Sequence, residues 1–250
     1  MAEYAIETRN LTKQFGKATA LTGVNLQVPA GSITCLLGPS GAGKSTLLHC
    51  LLQIAHATDG SGSVLGMDIA AQSMEIRQKV GFSPENPTFD VTMTPYSAVH
   101  FATSFLYSGE ALEQKIAQAL EMTGFKGQEK KPVRKLSRPE RARLALAQAF
   151  AANQPVVLLD QPARDLDPLD RDELMDLMLR FQRENNATVL YSSSLIEDAT
   201  FANRLAYLIK GRLVLQAAKD EVTKGAKDVF DERRSIEISF KAQIEALKAV

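Results

Sequence analysis

The chain has 250 residues, 45% hydrophobic and 23% charged, and its 29 lysines and arginines match its 29 aspartates and glutamates. This is the make-up of a soluble globular protein of one sizeable domain or two small lobes, with no net field to draw it to nucleic acid or acidic lipid. No run approaches the roughly 18 consecutive apolar residues of a membrane helix, and "MAEYAIETRN" lacks the basic and apolar regions of a signal peptide.

The first stretch, "YAIETRNLTKQF" through "ALTGVNLQVPAGSITCLLG", alternates apolar and polar residues between glycines and prolines, predicting several strands joined by tight turns. The strand "ITCLLG" then runs through a Gly-rich turn into an apolar helix, "KSTLLHCLLQI". "GSVLGMDI", a short helix near Met74–Lys79 and a strand "VGFSP" follow. Over residues 95–122 the strand signal disappears. "PYSAVHFATSFLY" and "GEALEQKIAQALEMTGF" place apolar residues at helical spacing, punctuated by Gly109 and Gly124. "KLSRPERARLALAQAFAANQP" predicts another helix, starting near Ser137 and ending before Pro155. Strand–helix alternation returns in "VVLLD", "LDRDELMDLMLRFQREN", "ATVLYSS" and "LIEDATFA". In "RLAYLIKGRLVLQ", Lys210-Gly211 between apolar runs predicts a hairpin.

The resulting expectation is an α/β lobe at about 1–85 and 155–216, a helical lobe inserted at about 86–154, and a charged, partly helical tail from about 217 to 250. No internal repeat or low-complexity segment is present. Cys35 and Cys50 have no metal-site spacing and read as small buried hydrophobes in a reducing compartment, the cytoplasm.

"GPSGAGKST" fits G-x-x-x-x-G-K-[ST] with Gly38, Gly43, Lys44 and Ser45. Small residues, here Pro39, Ser40, Gly41 and Ala42, let successive backbone N–H groups face phosphate oxygens at the positive end of the following helix. Lys44 would reach the β- and γ-phosphates, and the Ser45 hydroxyl, next to Thr46, would ligate Mg²⁺. Asp160, closing the apolar strand "VVLLD", is the natural second partner of that ion.

With these motifs in this order, followed by "VGFSPE", "KLSRPERARLALAQAF", "VVLLDQP", "DLDP" and "TVLYSSS", the chain resembles the nucleotide-binding subunit of ATP-binding-cassette (ABC) transporters over about residues 4–216. The resemblance implies an α/β fold: a P-loop NTPase core with an N-terminal antiparallel β subdomain and an inserted α-helical subdomain. It also implies MgATP as cofactor, a second ATP-binding subunit and a membrane permease as partners, no nucleic acid, and a place on the inner face of the cell membrane through the permease. The helical insert looks most like that of exporter subunits of the ABC-2 type. Phe15 would stack on adenine, a core phenylalanine being the alternative. Glu85 stands where the family has a magnesium-touching glutamine and could itself ligate the ion through oxygen, or be a solvated loop charge. Ser137 would offer a hydroxyl to a partner's nucleotide. Asp165 and Asp167 fall in a loop pressed across the dimer interface, where capping and turn chemistry before Pro168 also explains them.

Three positions depart from the family pattern. Gln161 replaces the glutamate that polarises the attacking water; an amide cannot take that proton, and losing a general base commonly costs about 10²–10⁴-fold in rate. Ser194 replaces the histidine that contacts the γ-phosphate, and His49, His56 and His100 are placed elsewhere in the sequence. "LSRPE", residues 136–140, replaces Leu-Ser-Gly-Gly-Gln. Pro139 has no N–H to donate, Arg138 adds bulk, and Glu140 adds negative charge unless Arg138 or Arg141 neutralises it. Glutamate-to-glutamine at position 161 is also an engineering change that traps nucleotide, but the other two losses point to natural degeneration. The expectation is a chain that binds MgATP with impaired or absent hydrolysis at its own site. A non-hydrolytic regulatory or structural subunit and a soluble non-transport cassette protein stand as alternatives.

Overall fold

The computed structural model describes residues 3–247. In chain order the strands and helices are β1 (Tyr4–Phe15), β2 (Ala18–Val24), β3 (Gln27–Pro29), β4 (Ile33–Leu37), α1 (Lys44–Leu51), β5 (Asp59–Val64), β6 (Met67–Asp68), α2 (Ser73–Lys79) and β7 (Val80–Ser83). They continue with α3 (Pro95–Thr103), α4 (Gly109–Met122), α5 (Arg138–Phe150), β8 (Val156–Asp160), α6 (Pro168–Asn185) and β9 (Thr188–Ser193). The last are α7 (Ile196–Ala199), β10 (Arg204–Ile209), β11 (Arg212–Ala218), α8 (Lys219–Val222) and α9 (Val229–Ala246). The chain divides into two compact units: one joins the residues up to Arg77 to those from Thr188 onward, and the other is Gln78–Ala187.

In the first unit β1 pairs antiparallel with β2, β3 and β5, and β5 with β6. A separate set is mostly parallel: β4 lies between β9 and β10, both parallel to it, and β11 closes antiparallel on β10. Every residue of β4 and β9 is buried, as expected of parallel strands covered on both faces. The β10–β11 turn is Lys210-Gly211, both in the left-handed region at φ 49° and 75°. That pair of conformations belongs to a tight hairpin turn.

The tail is docked on this unit. Ile236 of α9 is fully buried, Phe240 meets the Tyr207 ring edge-on at 5.1 Å, and Arg233 pairs with Glu197 of α7. Cys35 and Cys50 are free and buried. Burial pushes the Cys50 thiol up to about 11 and raises that of Cys35 as well, with the Asp198 carboxylate adding to the effect.

The second unit is wider than the expected helical segment, because it contains β7 and β8, paired in parallel. Its helical core gathers Val99 of α3, Leu112, Ile116 and Leu120 of α4, and Leu144 and Ala147 of α5. The α4 residues recur every four residues, which puts them on one helical face. Thr94 starts α3 through a capping box with Ser97, and Pro95 occupies the first turn, where its missing N–H costs nothing. Phe150 of α5 stacks on Phe181 of α6 at 4.0 Å.

Gly211 carries a constraint for the neighbouring loop. A Cβ there would lie 2.6 Å from the Ala20 carbonyl oxygen, and the positive φ already disfavours any side chain. Gly211→Ala is expected to cost on the order of 1–3 kcal/mol, read as a lowered midpoint in urea unfolding.

Candidate functional site

The loop between β4 and α1 is shaped by close backbone approach. A Cβ on Gly38 would meet the Leu208 carbonyl oxygen at 2.2 Å, and one on Gly43 the Ala20 carbonyl oxygen at 2.5 Å. Gly41 has open space around it, so its requirement is its φ of 76°. The loop is tied to its surroundings at two points and closed on itself at a third. The Gly38 N–H donates to Ser193 O at 3.1 Å, Ala42 N–H to Pro39 O at 3.1 Å, and Gly211 N–H to Ala42 O at 2.9 Å.

Gly43 precedes α1 with no side-chain cap, so the first-turn N–H groups of that helix, including those of Ser45 and Thr46, lack intrahelical acceptors. This end carries the positive pole of the helix. Lys44 is buried, and its ammonium donates to Gly38 O at 2.7 Å, Pro39 O at 3.0 Å and Ser194 Oγ at 3.0 Å. Backbone N–H groups, a helix N-terminus and an ammonium at one glycine-rich loop form an anion-binding arrangement. Pro39, Ser40 and Gly41 are exposed on its outer side. Ser194 is exposed at the end of β9 and sits beside Lys44. Phe15 is 53% exposed, under the Lys13 ammonium at 4.6 Å, so the core alternative for this ring falls. His49 lies in α1 and His100 in α3, both half-buried, while His56 is exposed.

In the second unit β8, buried throughout, delivers Asp160 at 1% exposure. The next residue, Gln161, adopts the left-handed conformation at φ 48°, and Asp165 does so at φ 59°. Such positions cost of order 1–3 kcal/mol and persist where surroundings hold them. Here the Gln161 amide donates to Glu85 Oε1 at 2.6 Å. Arg164 pairs with the same Glu85 oxygen, and Arg138 donates to Asp165 Oδ2 at 2.6 Å. These side chains line a cavity of about 200 Å³. Asp167 caps α6, accepting from Leu169 N–H and Asp170 N–H at 3.0 Å each. The Asp170 N–H above all holds its carboxyl below the usual carboxylate range.

The segment "SRPE" is a capping box. Ser137 Oγ accepts from Glu140 N–H at 3.3 Å, and Glu140 Oε2 accepts from Ser137 N–H at 2.6 Å. The S-x-x-E spacing carried this signal in the sequence. Glu140 is neutralised by Lys131 at 2.6 Å, a residue outside the pair Arg138 and Arg141 considered for it; Arg138 turns to Asp165 instead. Arg164 and Lys131 have no motif that could have announced them. Arg164 lies 79 residues from its partner.

Among the described residues no group of three or more His, Cys, Asp or Glu side chains could hold a metal. Magnesium is a hard ion that takes one or two protein oxygens and completes its shell with phosphates and water. The Ser45 hydroxyl in the first unit and the buried Asp160 carboxylate in the second are each oxygen donors. The Glu85 carboxylate is already engaged by Arg164 and Gln161.

The model of the ABC transporter family matches residues 21–164, more than half of the chain. The chain therefore belongs to the ABC transporter ATP-binding family, and its mixed α/β fold with an antiparallel β part and helical parts is the fold of that family's cassettes. Particular relatives place it more closely. It is 31% identical over 223 residues to the bacitracin transport ATP-binding protein BcrA of Enterococcus faecalis, covering 89% of this chain and 72% of that protein. It is 32% identical over 232 residues to the sulfate/thiosulfate import ATP-binding protein CysA of Bacillus cereus, covering 90% of this chain and 65% of that one. Among solved structures, the dimeric bacterial ABC transporter cassette MJ0796 superposes with a TM-score of 0.78 at 28% identity, over 85% of this chain and 98% of that one. Among the described residues no helix is long and apolar enough to cross a membrane.

The Lys131–Glu140 pair gives a signed pH dependence. Partial burial pushes the Glu140 carboxyl up, but the Lys131 ammonium and the Ser137 donors outweigh it and hold it below its ordinary range. A lowered folded-state pKa gives stability that is present above the unfolded-state value and lost as pH falls through the folded one. Lys131→Ala is expected to cost about 0.5–1 kcal/mol at neutral pH, and the gap to the parent chain should close in acid, as read by urea unfolding at both conditions.

Proposed function

We propose that the chain is the ATP-binding subunit of a membrane transporter, holding MgATP at residues 38–46 with little or no hydrolysis at its own site. Family membership and the loop geometry support nucleotide binding. The single observation that carries the hydrolytic reading is Gln161: the position after the buried Asp160 bears an amide already donating to Glu85, and an amide accepts no proton from water. In this reading Lys44 gives up its loop carbonyls for the β- and γ-phosphates, and Ser45 and Asp160 hold the magnesium ion, whose charge would neutralise the phosphates. Phe15 supplies a stacking face for the base.

Partners follow from relatives. BcrA is named as a transport ATP-binding protein and MJ0796 is described as dimeric. We assign to this chain a second ATP-binding subunit, with Ser137 and the Asp165–Asp167 loop facing it. We also assign a membrane permease, through which the chain sits on the cytoplasmic face of the membrane. A subunit in which bound ATP clamps the dimer without turnover is the limiting form of the same reading, favoured to the extent that Gln161, Ser194 and Pro139 all fail chemically.

Equilibrium ATP binding and phosphate release, measured on the purified chain alone and with its transporter, test this. Lys44→Ala is expected to weaken ATP binding by about 10- to 100-fold, the worth of a charge-assisted hydrogen bond. The chain alone is expected to turn over about 10²–10⁴-fold more slowly than a cassette with glutamate at the position of Gln161. Rapid turnover by the isolated chain that survives Gln161→Ala would overturn the proposal.

A further inference from the structure

Glu85 and Gln161 are 76 residues apart in sequence, yet the amide of one donates to the carboxylate of the other at 2.6 Å. Arg164 converges on the same carboxylate oxygen. The backbone of Gln161 is held in the left-handed conformation, with its carbonyl accepting the Arg164 N–H at 3.0 Å. The turn after β8 therefore presents two donors, the Gln161 amide and the Arg164 guanidinium, to one acceptor, Glu85.

A carboxylate at position 161 would remove one donor and set two negative charges at hydrogen-bonding distance, with the Arg164 guanidinium already shared between Glu85 and Asp165. At that separation like charges repel strongly even at the effective dielectric of a protein surface. The amide at 161 is the side chain of matching size that Glu85 can accept from.

From this we infer that Glu85 dictates the residue at 161: the two are a matched pair, with the charge on residue 85, the donor on residue 161, and Arg164 as a second donor to the same carboxylate. Gln161→Glu alone then loosens the turn, while Glu85→Gln together with Gln161→Glu exchanges charge and donor and restores the contact. Where this touches hydrolysis it rests on the reading that Gln161 limits turnover, and the experiment separates the two.

Thermal unfolding midpoints are measured for the parent chain, Glu85→Gln, Gln161→Glu, Gln161→Leu and the double exchange, with ATP turnover alongside. Gln161→Glu should lower the midpoint more than Gln161→Leu, which loses the donor without adding charge. The double exchange should recover most of that loss, so that the two substitutions are strongly non-additive, as contacting residues are. Recovery of folded protein only in the double exchange would support the pair equally. Additive midpoints, or equal losses in Gln161→Glu and Gln161→Leu, would overturn it. Turnover at least tenfold higher in the double exchange than in the parent chain, with coupled midpoints, supports both the pair and the reading of Gln161 as limiting. Coupled midpoints without any gain in turnover keep the pair and overturn that reading, placing the hydrolytic defect at Ser194 or the "SRPE" segment.

Discussion

The buried ammonium of Lys44 is the constraint around which the first unit is arranged. A charge taken out of water costs several kcal/mol unless it is closely satisfied, and here two carbonyls of its own loop and the Ser194 hydroxyl approach it within 3.0 Å. Those carbonyls point inward because Gly38 presses against Leu208 O and Gly43 against Ala20 O, distances no Cβ would allow. Parallel β4, with β9 and β10 on its two sides, fixes the level at which the loop begins. The β10–β11 hairpin then reaches back through Gly211 to hold Ala42. The loop that would receive phosphate is thus already curled around a cation of its own.

Much of this was legible in the sequence, for physical reasons that differ by element. Strands β4, β8 and β9 showed as short apolar runs because they are buried on both faces. The hairpin at Lys210-Gly211 showed because a two-residue turn demands positive φ. The phosphate loop showed because close backbone approach leaves glycine as the only choice at fixed spacing. The start of α5 was legible in place, near Ser137, but its meaning was wider than expected: "SRPE" fastens a helix before it does anything to a nucleotide.

What stayed hidden was pairing at a distance. Glu85 meets Gln161 and Arg164 across more than 70 residues, and no periodicity records which charge a loop carboxylate will find. Lys131 lies closer to Glu140, but in an irregular segment whose path only the folded chain defines. The tail had no motif because its attachment is carried by a few residues, Ile236 and Phe240 on one face of α9 and Arg233 near its start, set in a largely charged stretch. A helix so lightly attached carries too weak an apolar stripe to be read as part of a core.

The "SRPE" segment separates two demands that the family's Leu-Ser-Gly-Gly-Gln meets together. A helix start needs an acceptor at its cap and a reciprocal side chain three residues on. Ser137 and Glu140 provide both. Proline in the first turn adds nothing unfavourable, since the N–H it lacks would have had no partner inside the helix. A phosphate approaching that turn needs the very N–H groups the helix can spare, and Pro139 has removed one of them while Glu140 has brought a negative charge. Lys131 and Asp165 absorb the charges of Glu140 and Arg138 within the unit itself. On the proposed reading, the substitutions keep the start of α5 stable while lowering its capacity to bind a phosphate.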